Sequence, residues 1–207
     1  MSRSSRFWDR VADRYAKKPV PDEAVYQKKL AITREYLQPH MEVLEIGCGT
    51  GSTALAHAAC VRHIHATDIS AKMIAIAQAK AAAQGIENVT FEQAAVDELS
   101  VPEESLDVVL GLSVLHLLEN KEDAIADVHR MLKPGGIFVT STVCLGDTMK
   151  FFKAILPIGR FLRLIPLVRV FSTQELADSL TNAGFDIDFQ WQPGKGEAVF
   201  IVAKRND

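Results

Sequence analysis

The 207-residue chain predicts an α/β fold: a three-layer sandwich in which helices cover both faces of a seven-stranded, mostly parallel sheet. Three observations carry that prediction. Apolar runs of strand length alternate with segments of helical periodicity, the pattern of right-handed parallel crossovers. One strand breaks directly into glycines at alternate positions, Gly47, Gly49 and Gly51, and opens a helix. Near the end, residues 185–191 and 198–204 flank Pro193-Gly194-Lys195-Gly196, a hairpin that turns the final strand antiparallel. The length suits one domain with a full core.

Taken in order, Phe7, Trp8, Val11, Ala12 and Tyr15 recur at helical spacing until Pro19 and Pro21 break the helix. Asp22 caps a second helix that reaches Leu37, with Pro39 as its stop. Residues 43–46 read as a buried strand, 52–59 as a helix, and 62–67 as the next strand, which ends on Asp68. Ser70 caps an alanine-rich helix over 71–84 that Gly85 closes. Residues 89–93 make the third strand and 106–112 the fourth, the latter nearly all apolar as a central parallel strand is. Asn120 starts a helix to Leu132, Lys133-Pro134-Gly135-Gly136 reverses the chain, and 137–143 form the fifth strand. Ser172-Thr173-Gln174-Glu175 is a capping box that opens a helix ending near Ala183-Gly184.

The glycine turn is the stretch with the most chemical content. Glycine admits φ > 0 and lets backbone N–H groups approach a ligand closely. The helix start adds free N–H groups and a partial positive charge. A tight turn without a ligand needs one glycine; three point to a ligand cradle. The dinucleotide pattern G-x-G-x-x-G would put its third glycine at position 52, where Ser52 stands, so a pyrophosphate ligand is disfavoured. Asp68 lies 21 positions past Gly47, and a carboxylate at that distance accepts hydrogen bonds from a ribose diol. The two features together ask for a nucleoside-like ligand with little or no phosphate.

Glu45-Ile46-Gly47-Cys48-Gly49-Thr50-Gly51, followed by Ala66-Thr67-Asp68-Ile69-Ser70, resembles the class I S-adenosylmethionine-dependent methyltransferases. Within them it looks most like the small-molecule branch that includes the ubiquinone/menaquinone-type enzymes. The similarity runs from Phe7 to Lys204. It implies a Rossmann-like sheet of order 3-2-1-4-5-7-6, with S-adenosylmethionine bound across the carboxyl ends of strands one to four. It also implies methyl transfer to a small molecule, an in-line displacement because the methyl donor is a sulfonium; an apolar acceptor is the expectation from residues 148–171. On the matching positions, it implies cofactor contacts from Tyr15, Glu45, Gly47, Cys48, Gly49, Gly51, Asp68, Ile69, Met73, Ala95, Val96 and Ser113. Residues 1–40 would form an N-terminal helical cap, with Tyr15 at the methionine end. Ala95 departs from the family, which commonly places an acidic or amide side chain there for the adenine amino group. The Val96 N–H still suits a ring nitrogen, and Asp97 is the substitute acceptor.

A base is needed only if the acceptor must lose a proton. His116, just past the fourth strand, is the leading candidate, because an imidazole holds and releases a proton near neutral pH. The plain alternative is a histidine packed or capping at the strand exit. Asp147 and Tyr26 are weaker candidates. His57, His63, His65 and His129 fall in helix or strand bodies and read as structural. Residues 148–171 hold thirteen large apolar side chains besides Met149, and five basic ones with no acid, and Pro157 and Pro166 cut the run. We read this stretch as a lid insertion over an apolar acceptor site, with Phe151, Phe152 and Phe161 turned toward the acceptor. A dimer surface, a peripheral membrane contact and plain core packing are its alternatives.

Composition narrows the partners. The net charge of −3 gives no global pull toward nucleic acid. The fourth strand leads into Gly111-Leu112-Ser113-Val114, unlike the [DN]-P-P-[YFW] that grips an exocyclic nucleobase amine. Three cysteines without a C-x-x-C, and no set with ligand spacing, signal neither a disulfide framework nor a metal site. No run of about 18 apolar residues occurs, so no transmembrane span is expected. The start lacks the apolar core of a secretory signal. A cytoplasmic protein is therefore expected, and a homo-oligomer is compatible with the sequence. The competing function is a non-catalytic S-adenosylmethionine-binding or regulatory subunit, against which the intact glycine motif counts. A protein or RNA methyltransferase comes after it.

Overall fold

In the computed structural model, which describes residues 3–147 and 167–206, two helices precede the sheet: α1 (Arg3–Lys17) and α2 (Glu23–Glu35). Strands and helices then alternate as β1 (Glu42–Ile46), α3 (Ser52–His57), β2 (His63–Asp68), α4 (Ala71–Gln84), β3 (Val89–Gln93) and β4 (Leu106–Leu112). They continue as α5 (Lys121–Met131), β5 (Leu132–Val143), α6 (Thr173–Asn182), β6 (Phe185–Trp191) and β7 (Ala198–Arg205). The strands form one sheet of order β3-β2-β1-β4-β5-β7-β6, as the resemblance implies. β1 through β5 pair in parallel, and β7 runs antiparallel to both of its neighbours.

The helix starts follow from capping. The Val25 N–H donates to the Asp22 carboxylate at 2.9 Å, the Met73 N–H to Ser70 Oγ at 3.2 Å, and the Glu122 N–H to Asn120 Oδ1 at 3.1 Å. At α6 the box closes both ways, Glu175 N–H to Ser172 Oγ and Ser172 N–H to Glu175 Oε2. Period-two alternation on the strands sorts the core into two apolar layers. Val43, Ile64, Phe91, Val108 and Val139 pack beneath α3 and α4 on one face. Leu44, Ile46, Val109 and Phe138 pack beneath α5 and α6 on the other. Both faces of the central strands are thereby covered, as a parallel sheet requires.

Element ends differ from the sequence expectation by more than one residue in three places. α2 stops at Glu35 rather than Leu37, with Tyr36 as its C-cap. The expected helix 52–59 divides into α3 and a 3₁₀ turn at Ala58–Cys60. The reversal at Lys133–Gly136 falls inside β5, not before it: Leu132 already pairs with Leu106, the register shifts, and Ile137 resumes opposite Val108. Lys133 Nζ holds this bulge to Asp107 Oδ1 at 2.7 Å. Residues 148–166, with Phe151, Phe152 and Phe161, lie outside the described residues; Leu167 and Phe171 are buried. No helix among the described residues is long and apolar enough to cross a membrane.

Candidate cofactor site

The site grows out of the turn between β1 and α3. Gly47, Gly49 and Gly51 all sit at positive φ, +67°, +54° and +73°. The Cys48 N–H donates to the Thr67 carbonyl at 2.8 Å, fixing the turn to the end of β2. Asp68 closes the arrangement: its Oδ2 accepts the Gly49 N–H at 2.9 Å and its Oδ1 accepts the Ser70 N–H at 2.8 Å. Burial raises the Asp68 pKa above the ordinary carboxylate value, and these two N–H bonds oppose the rise. Each carboxylate oxygen keeps a lone pair for a further donor.

This turn forms one wall of a cavity at the carboxyl ends of β1, β2 and β4, where open α/β sheets take their ligands. Trp8 and Tyr15 of α1 close it from above, and Ile69, Met73 and Val96 form its side. Leu112, Ser113, Val114, Leu117, Leu118 and Leu167 make an apolar wall on the β4 side. α1 is anchored there by Asp9, which accepts from Ser70 Oγ at 2.7 Å and from the Lys72 N–H at 3.2 Å. Ser113 is held at φ +61° and donates its N–H to the Ser141 carbonyl at 2.7 Å. A non-glycine residue in that region is strained, and such strain concentrates at ligand sites.

Residues 43–136 match a family model described as a methyltransferase domain. Over this stretch the chain is similar to methyltransferase domains. An uncharacterized methyltransferase, YcgJ of Bacillus subtilis, is 34% identical over 97 residues, covering 47% of this chain and 38% of that protein. A ubiquinone biosynthesis O-methyltransferase of Rhizobium leguminosarum is 29% identical over 153 residues, covering 71% and 60%. The chain thus spans about half the length of these relatives. The solved YcgJ structure superposes with a TM-score of 0.73 at 18% identity, covering 87% of this chain and 99% of that one, which is a likeness of fold.

The cofactor of such domains is S-adenosylmethionine, and the domain's cavity fits it. Asp68 keeps lone pairs beside the backbone of Gly49, an acceptor arrangement that suits a ribose diol. A Cβ added at Gly49 would meet only the Tyr15 ring, at 4.0 Å, so the turn is open where a ligand would lie. The other two glycines have packing partners. A Cβ at Gly47 would come within 2.7 Å of Val114, and one at Gly51 within 2.8 Å of Ala77 and Phe91. Gly51 therefore performs the close helix–sheet packing that the dinucleotide pattern assigns to a glycine one position later.

Of the twelve residues that the resemblance implies, Tyr15, Gly47, Gly49, Asp68, Ile69, Met73, Val96 and Ser113 line the cavity. Glu45, Cys48, Gly51 and Ala95 do not. Cys48 turns into the core under α3 and α4, where burial pushes its thiol pKa up. Ala94, not Ala95, lines the cavity, and the Ala95 N–H faces Glu98 Oε2 at 3.4 Å in a 3₁₀ turn that also holds Asp97. His116 is likewise outside the lining, although Val114, Leu117 and Leu118 around it are in. Its Nδ1 is buried without a hydrogen-bond partner among the described residues, and burial pulls its pKa down to about 4. Tyr26 hydrogen-bonds Thr53, and Asp147 clamps the Thr173 N–H and hydroxyl at the start of α6. No group of three metal-ligating side chains occurs among the described residues. Sequence reasoning missed Trp8 as a wall residue; it stands seven positions before Tyr15, two helical turns on the same face.

Glu45 does something else. Gly51, at the N-cap of α3, has no side chain to offer. The buried Glu45 carboxyl accepts the Ala54 N–H instead, and burial raises its pKa to about 8. Its Oε2 finds no partner among the described residues. A carboxyl whose folded pKa is raised binds more protons folded than unfolded. Its stabilisation is full below the unfolded value near 4.5 and is lost as pH rises toward about 8. Glu45→Gln is expected to flatten this pH dependence, removing a slope of about 1.4 kcal/mol per pH unit inside that window. Urea unfolding at a series of pH values checks it; parallel profiles for the two proteins would refute the assignment.

Proposed function

We propose that the chain transfers the methyl group of S-adenosylmethionine to a small, apolar acceptor. The observation that carries this reading is the division of one cavity. A carboxylate and an open glycine backbone lie on one side, and the leucine-rich wall of Leu112, Leu117, Leu118 and Leu167 on the other. The cofactor supplies the electrophilic carbon and the leaving thioether. Asp68 and the Gly49 backbone orient it, and the apolar wall with Trp8 and Tyr15 excludes water. Alignment of two bound reactants is worth about 7–11 kcal/mol. Among the described residues, Tyr15 and Asp68 are the titratable groups in the cavity wall. Burial raises both, the nearby Asp68 adding to the rise at Tyr15. His116, proposed from sequence as a base, is a weak one at its lowered pKa. The acceptor we favour is therefore one that reacts without a strong protein base, such as an acidic phenol, an enol or a carboxylate on a lipophilic body. The Rhizobium relative named for ubiquinone biosynthesis supports that class.

The experiment combines calorimetry with product detection. S-adenosylmethionine should bind, and S-adenosylhomocysteine should accumulate when lipophilic phenols, enols or acids are supplied, at least tenfold faster than with neutral alcohols. Binding without turnover of any of these acceptors would give the function to a non-catalytic S-adenosylmethionine holder.

A further inference from the structure

We propose that the outer face of α1 and the residues following it dock the chain on an anionic lipid surface. Arg6, Arg10, Arg14 and Lys17 are all exposed, and their spacing of four, four and three residues stacks them in one row along the helix. Lys18 extends the row. No carboxylate pairs with any of the five among the described residues. Of the two acids on this helix, Asp9 points inward to Ser70 and Lys72, which leaves Asp13 as the acid exposed beside the row. This concentration of positive charge stands in a chain whose net charge is −3.

A second, independent feature selects lipid over other polyanions. Two large hydrophobic side chains are exposed in the described residues, Tyr15 at 52% and Val20 at 42%. Tyr15 stands on the cavity face of α1 with Trp8; Val20 follows the basic row directly. A nucleic-acid backbone would use the cations and leave Val20 without a partner. A bilayer surface takes both: phosphates for the row, and the interfacial zone for the small apolar side chain of Val20. The inner apolar face of α1 is already committed to the cavity through Trp8. Attachment is therefore electrostatic, not a deep insertion of the helix. The inference stands whether or not the methyl-transfer reading holds.

The test is sedimentation of the full chain with phosphatidylcholine vesicles, with and without about 30% phosphatidylglycerol. Binding is expected on the anionic vesicles at low salt, with release near 0.5 M salt, where the Debye length is about 4 Å. Neutralising the row with R6Q/R10Q/R14Q should weaken partitioning about 100-fold, leaving the unfolding temperature and S-adenosylmethionine affinity as they were. If the triple variant loses its unfolding transition, R10Q alone decides, with a loss of about fivefold. Three results would overturn the proposal: no wild-type binding to anionic vesicles, equal binding to neutral ones, or a folded charge variant that binds like wild type. The last would place the lipid contact elsewhere in the chain.

Discussion

Asp68→Ala is expected to weaken S-adenosylmethionine binding by about 100-fold or more. Two charge-assisted hydrogen bonds to a ribose diol are worth about 1.5–3 kcal/mol each. The carboxylate also accepts the N–H groups of Gly49 and Ser70, at 2.9 and 2.8 Å. Its removal therefore frees the turn that the ligand lies against, and the loss should exceed that of the two ligand bonds alone. Asp68→Asn keeps one acceptor oxygen and should fall between. The pH dependence has a defined sign. Burial raises the Asp68 pKa, so affinity should begin to fall at a pH above the usual carboxylate range as the solution is made more acid. Calorimetry of the three proteins at neutral pH checks the first claim. An unchanged affinity in Asp68→Ala, in a folded protein, would remove Asp68 from the site.

The fold was legible because its signals are local and redundant. Asp22, Ser70, Asn120 and Ser172 each announce a helix start, and each side chain accepts the expected backbone N–H. Strand order was not written in composition or periodicity; it came with the resemblance carried by residues 45–51 and 66–70. The cavity lining was legible where chemistry and backbone coincide, at Gly49 and Asp68. It was illegible where the side chain's direction decides. Glu45 and Ile46 are neighbours in one motif, yet strand alternation sends them to opposite faces, Ile46 into the cavity wall and Glu45 under α3. His116 illustrates the same limit. Position after β4 places its backbone near the cavity, but the 3₁₀ turn Leu115–Leu117 buries its Nδ1, which has no partner among the described residues. Trp8 was visible as part of an apolar helix face, and periodicity alone does not say whether such a face covers core or cavity.

The three glycines of the turn should separate cleanly on mutation, because the same residue type performs different work at each. Gly51→Ala would place a methyl group 2.8 Å from both Ala77 and Phe91, buried partners in the layer beneath α3 and α4. Overpacking there costs about 1–3 kcal/mol, and a side chain at φ +73° adds about 1–2 kcal/mol. The sum takes a large share of a domain's stability of about 5–15 kcal/mol. Gly51→Ala should therefore melt well below wild type and lose cofactor binding because it is partly unfolded. Gly49→Ala carries the conformational cost alone, since its Cβ would meet nothing closer than the Tyr15 ring at 4.0 Å. It should stay folded at 25 °C and still lose at least tenfold in S-adenosylmethionine affinity, because the methyl group occupies the approach to the Gly49 and Asp68 wall. Gly47→Ala, with Val114 at 2.7 Å, should do both, since Val114 is itself part of the cavity wall. Thermal unfolding and calorimetry on the three variants give six readings. A Gly49→Ala protein that binds with wild-type affinity would mean that the ligand lies against some other part of the cavity.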